Sequence, residues 1–185
     1  LGQHGDTSTF TPYCSVSSPT NYGNLRFCGL TCYKEVFPKQ LSYVADVLNS
    51  YCSVVFAADT ENVFESLFSF FASNRLNLEE GATVTFNDGY KCGNSQRVLL
   101  AKDATLVFNG MVKTGTDTAS KGCFDISATT GSKVVFNPPD EANAVKITTY
   151  MACTGGEYLF GRGGDAVSIA QYISMVGNAK MTLGD

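Results

Sequence analysis

The residues that could do chemistry are few and dispersed. His4 is the sole histidine. A Ser/His or Cys/His hydrolase needs an imidazole fixed beside its nucleophile, and a histidine so near the first residue is a poor candidate. Glu79-Glu80 and Asp140-Glu141 are adjacent carboxylates, and a glycosidase needs two. Neighbours in sequence need not face one site, however, and the second pair follows Pro138-Pro139. Both pairs read as solvated loop charges. Thr154-Gly-Gly156 and Gly161-Arg-Gly-Gly164 are glycine-rich, but neither carries the Gly-Lys-Ser/Thr that closes a phosphate loop. They read as turns.

Seven cysteines stand at positions 14, 28, 32, 52, 92, 123 and 153. Three disulfides and one free thiol would suit an oxidising compartment; the alternative is several buried thiols packed as small hydrophobes. Cys28-Gly-Leu-Thr-Cys32 lacks the second pair of ligands a zinc site needs. No metal, cofactor or catalytic set is therefore assigned. Tyr13, Tyr22, Tyr33, Tyr90, Tyr150 and Tyr158 could stack on sugars, but each could equally be packing, and the binding residues are unknown. There is no Asn-x-Ser/Thr acceptor for glycosylation.

The balance of 13 basic and 17 acidic residues gives a net charge of -4. With no basic block to follow a phosphate backbone, nucleic acid is not an expected partner. No apolar run is long enough for a transmembrane helix. Only 16% of residues are charged and there are 18 glycines, a profile that suits a secreted or surface-displayed β-rich protein.

The elements that would position any site come from a repeat. Ser53-Val-Val-Phe-Ala57, Thr83-Val-Thr-Phe-Asn87, Thr105-Leu-Val-Phe-Asn109, Lys133-Val-Val-Phe-Asn137, Glu157-Tyr-Leu-Phe-Gly161 and Lys180-Met-Thr-Leu-Gly184 share one pattern. Their anchors, Phe56, Phe86, Phe108, Phe136, Phe160 and Leu183, recur at intervals of 30, 22, 28, 24 and 23 residues. That period fits a parallel β-helix, a β-solenoid whose coils each return to the same edge. One coil cannot bury its apolar side, so coils stack and their Phe residues form a column. Asn87, Asn109 and Asn137 would occupy the following corner, where stacked amides can hydrogen-bond along the column. Gln96–Lys102, Gly122–Ser127, Val145–Met151 and Ala166–Ser174 are further strand candidates. The alternative is a β-sandwich, whose strands also recur regularly.

Residues 1–80 read as a Cys-containing irregular segment with helices that cap or pack on the coils; residues 81–185 read as the solenoid, in one continuous domain or a fragment of a longer chain. The start at Leu1 and the stop inside a repeat phrase favour a fragment or processed product. From Pro38, the spacing of Leu41, Val44, Ala45, Leu48 and Tyr51 predicts one helix. A second is expected from an N-cap at Asp59 or Thr60 through Val63, Phe64, Leu67, Phe68, Phe70 and Phe71.

Gly81-Ala-Thr-Val-Thr-Phe-Asn-Asp88, Asp103-Ala-Thr-Leu-Val-Phe-Asn-Gly110 and Asn178-Ala-Lys-Met-Thr-Leu-Gly-Asp185 resemble the coil repeats of bacterial autotransporter passengers and related surface adhesins. The resemblance covers roughly residues 53–185. It implies a parallel β-helix displayed outside the cell for adhesion, aggregation or display, although most such passengers are poor in cysteine. The expected function is a non-enzymatic extracellular structural or adhesive module. Its partners would be itself, adjacent coils of a longer chain, or a host or glycan surface. Two alternatives stand beside it. A carbohydrate-active β-helix enzyme would need charges such as Arg97, Lys102, Asp125, Lys146 and Arg162 on one exposed sheet face; a self-assembling fibre or pilus-like subunit would form polymers.

Overall fold

The computed structural model describes residues 24–33, 40–43, 53–70, 75–92, 95–114, 123–137, 145–147, 150–161, 167–169 and 173–184. Among them the regular elements are all β-strands. The strands belong to three sheets, and the chain visits the sheets in rotation.

The first sheet stacks Asn24–Phe27, Ser53–Phe56, Arg75–Leu78, Ser95–Leu100, Cys123–Ala128, Tyr150–Thr154 and Ile173–Val176 in that order. The second stacks Leu30–Cys32, Glu61–Phe64, Thr83–Phe86, Thr105–Phe108, Lys133–Phe136, Glu157–Phe160 and Lys180–Leu183. Gln40–Tyr43, Leu67–Phe70, Tyr90–Cys92, Val112–Thr114, Val145–Ile147 and Val167–Ile169 make the third. One strand from each sheet makes a rung, and every ladder between rungs is parallel. The protein is a three-faced parallel β-solenoid. Parallel ladders exclude the sandwich, whose meanders would pair antiparallel.

Strand alternation explains the core. In Thr83–Phe86 and Thr105–Phe108 the second and fourth residues are buried and the others half-buried. The inward rows are therefore Val84, Leu106 and Val134 beside Phe86, Phe108 and Phe136, all fully buried. From Phe64 to Phe160 the rings stack with centroids 4.7–5.8 Å apart. Stacked rings of this kind contribute ~1 kcal/mol each beyond the area they bury.

The corner between the first and second sheets is a four-residue turn. It closes from Ala82 N–H to Glu79 C=O at 3.1 Å, and the same bond recurs from Ala104 to Ala101 and from Ser132 to Thr129. The third turn residue has positive φ. That position is occupied in successive rungs by Asp59, Gly81, Asp103 and Gly131. Asp tolerates the left-handed region better than most residues and Gly adopts it freely. A Cβ at Gly81 would meet the Asp59 carboxylate, and one at Gly131 that of Asp103, so an exposed side chain would have to turn aside.

At the corner between the second and third sheets the expected amide ladder is present. Asn109 Nδ2 donates to Asn87 Oδ1 at 2.8 Å, and Asn137 Nδ2 to Asn109 Oδ1 at 3.2 Å.

Three sequence expectations are corrected. Residues 59–70 form no helix: Asp59 is a turn residue, and Glu61–Phe64 and Leu67–Phe70 are strands of different sheets. Phe64 and Phe68 both point inward because Glu65-Ser66 turns the corner between them, and four-residue spacing across a corner imitates a helical stripe. The helix expected from Pro38 begins instead with the strand Gln40–Tyr43, paired with Leu67–Phe70; residues 44–51 lie outside the described residues. Phe56 is not the first anchor of the column. It lies in the first sheet opposite Phe27 and Leu78, and Phe64 precedes Phe86.

Candidate functional site

Each outward side chain sits in a row that runs along the stack, so the exposed chemistry is a set of lines. On the first sheet, Arg75, Arg97 and Asp125 are in register on three consecutive rungs, with neighbouring strands about 4.8 Å apart. Both arginines are exposed and Asp125 is half-exposed. Like charges on adjacent strands repel, and Asp125 supplies the opposite sign beside Arg97. The next outward row holds Val55, Asn77, Leu99, Ser127 and Thr154. There the buried Asn77 Oδ1 lacks a hydrogen-bond partner.

Two of the charges proposed from sequence, Arg97 and Asp125, thus share a face. Lys102 does not. It lies in the corner turn, with Nζ 3.4 Å from Asp103 Oδ2 and 3.6 Å from Glu80 Oε1. Asp103, then Glu80, raises its pKa. Lys146 is on a third-sheet strand, and Arg162 lies outside the described residues, as do His4, Asp140, Glu141, Tyr13 and Tyr22. Sequence reasoning missed Arg75 and Asn77. Their signal was the alternation Arg75-Leu-Asn-Leu78, which exposes the first and third residues.

The carboxylate pair Glu79-Glu80 divides its work. Glu79 Oε2 accepts the Ala58 N–H at 3.0 Å across rungs, while Glu80 is exposed beside Lys102. Such a pair is structural. Tyr90 and Tyr158 are fully buried and cannot meet a glycan, whereas Tyr33 is exposed. Gly155 and Gly156 both have positive φ in a tight turn.

Cys28 is an exposed free thiol and Cys153 a buried one. No disulfide occurs among the described side chains, so the disulfide expectation gains no support. Cys153 faces Tyr158 inside the coil. Burial, partly offset by the Tyr158 hydrogen bond, pushes its pKa up to about 12. Burial likewise raises the Tyr158 phenol, whose hydroxyl donates to Ile126 C=O at 3.4 Å. A thiol this hard to ionise is no nucleophile at neutral pH.

Among the described residues the exposed large apolar side chains include three near the end of the stack. Met181 continues the row of Tyr158, and Leu183 that of Phe160. Both are exposed, at 42% and 66%, as is Val176 at 47%. Comparison with protein-family models, with curated proteins and with solved structures gave no match.

Proposed function

We propose that the chain is a non-enzymatic structural or adhesive module of a secreted or cell-surface protein, a length of solenoid that presents its outer faces. The observation that carries this reading is the stacked fold itself: three parallel sheets whose inward rows are spent on packing and whose outward side chains form lines along the stack. The low charged fraction and the resemblance to surface adhesins support the extracellular setting.

The line of Arg75, Arg97 and Asp125 favours a second reading, a carbohydrate-active enzyme that acts on acidic polysaccharide. Arginines one strand apart suit successive carboxylates or sulfates of an extended chain, and Asp125 is the only carboxylate of that row.

A polysaccharide panel assayed for both retention and turnover decides between them. Retention or indifference without turnover is the expected result. Turnover that disappears in Asp125→Asn would overturn the structural reading. Electron microscopy adds the fibre form: end-to-end polymers lost in Leu183→Asp would identify the last rung as the assembly point.

A further inference from the structure

The outer face of the second sheet carries a charge pattern with an internal symmetry. One outward row reads Glu61, Thr83, Thr105, Lys133, Glu157 and Lys180 along six successive rungs. The row beside it reads Val63, Thr85, Val107, Val135, Leu159 and Thr182. Glu61, Lys133, Glu157 and Lys180 are exposed, while Val63, Val107, Val135 and Leu159 are half-buried with their outer surfaces open. The face is thus an apolar and threonine stripe flanked by a charged one.

We propose that this face is a homodimer interface in which a second copy of the chain packs sheet against sheet with the solenoids antiparallel. The two-fold axis would lie along the strand direction, between the rung of Val107 and the rung of Val135. This operation sets each row against its own copy with the rung order reversed. Val107 then faces Val135, Thr85 faces Leu159, and Val63 faces Thr182. In the charged row Glu61 meets Lys180 twice, Thr83 meets Glu157, and Thr105 meets Lys133. No like charges oppose each other. A two-fold contact must be self-complementary, and this order of residues is.

A parallel pairing of the same faces would instead cross the two rows, putting Glu61 on Val63, Lys133 on Val135, Glu157 on Leu159 and Lys180 on Thr182, and would desolvate each charge without a partner. Charge therefore selects the antiparallel copy. Six strands of four residues cover roughly 30 Å by 13 Å, so about 800 Å² would be buried in total, at the low end for a specific contact. The dimer is weak and reversible, and it is distinct from any docking at the last rung.

The test is sedimentation equilibrium of the full chain over a wide concentration range. A concentration-dependent dimer is expected, weakened about tenfold or more by Val107→Glu and unaffected by Leu183→Asp, which touches only the open end. Glu61→Lys and Lys180→Glu each replace two attractive contacts by two repulsive ones, so each variant alone dimerises less. Their equimolar mixture restores both contacts and forms a heterodimer. Both positions are exposed, so unchanged circular dichroism separates these effects from misfolding. A monomer at every concentration overturns the proposal. So does a dimer indifferent to Val107→Glu, or a mixture that associates no better than either variant alone.

Discussion

The middle rungs and the last rung are written in nearly the same phrase and live in opposite environments. Ala82-Thr-Val-Thr-Phe86 and Ala179-Lys-Met-Thr-Leu183 pair into the same sheet in the same phase. Yet Val84 and Phe86 are fully buried, whereas Met181 and Leu183 are exposed. The difference teaches that the phrase encodes stacking and that burial is supplied by the neighbours. A middle rung has a coil on either side; among the described residues the rung of Met181 packs only on that of Tyr158. In a solenoid, stability is a sum of rung and interface contributions, so the two regions should answer to mutation unequally.

The sharpest contrast is between Phe108 and Leu183. Phe108→Ala removes a ring stacked on Phe86 and Phe136 and should cost about 3–5 kcal/mol, whereas Leu183→Ala should lie within about 0.5 kcal/mol. Urea unfolding of the two variants checks this. Equal losses would break the comparison, and would mean that Leu183 is covered in solution.

Next come the glycines of the corner. Gly131→Ala forces a Cβ into the Asp103 carboxylate at positive φ, for about 1–3 kcal/mol. Gly177 also has positive φ, but its nearest neighbour is Thr154 Cγ2 at 3.9 Å. Gly177→Ala should cost only about 1 kcal/mol. Thermal melts of the pair compare the two corners, in which the glycine is the third and the second turn residue respectively.

The amide ladder gives a smaller effect. Asn109 donates one bond and accepts another, and Asn109→Ala should cost about 1–2 kcal/mol. Hydrogen exchange should localise that loss to the rungs of Asn87 and Asn137. Uniform loss of protection would instead mean that the rungs unfold together.

The last prediction concerns Cys153, whose effect is absent near neutral pH. Its thiol is held neutral, with the pKa raised from 9.0 to about 12. Above the unfolded value the denatured chain binds fewer protons than the native one, so stability falls as pH rises from about 9 toward 12; Cys153→Val should make that limb shallower and leave the part that the buried Tyr158 phenol supplies. Alkylation with peptide mapping should label Cys28 in the native chain near neutral pH and Cys153 only after unfolding.

Much of the architecture was legible because a solenoid writes its fold locally. Phe86, Phe108, Phe136, Phe160 and Leu183 were phased correctly since each ends a strand just before a corner, and Asn87, Asn109 and Asn137 were recognisable as a ladder for the same reason. The third sheet was harder to see. Val145–Met151 and Ala166–Ser174 each look like one strand, but each holds parts of two strands that belong to different sheets. The charged line was half visible: Arg97 and Asp125 stood out by residue type, but nothing in the sequence aligned them with Arg75.

What the sequence determined by itself, then, is the period, the strand alternation and the corner chemistry, all consequences of what a single coil must bury and where its backbone must bend. Which sheet a strand joins was decided only in three dimensions. Ser53–Phe56 and Thr83–Phe86 are near copies, yet they lie in different sheets, because the first pairs with Asn24–Phe27 and Arg75–Leu78 and the second with Glu61–Phe64 and Thr105–Phe108. The repulsion of Arg75 and Arg97, the exposure of Leu183 and the mirrored charges of the second sheet arise likewise from register between distant rungs. Local pattern cannot fix that register; the packing of one whole coil upon the next does.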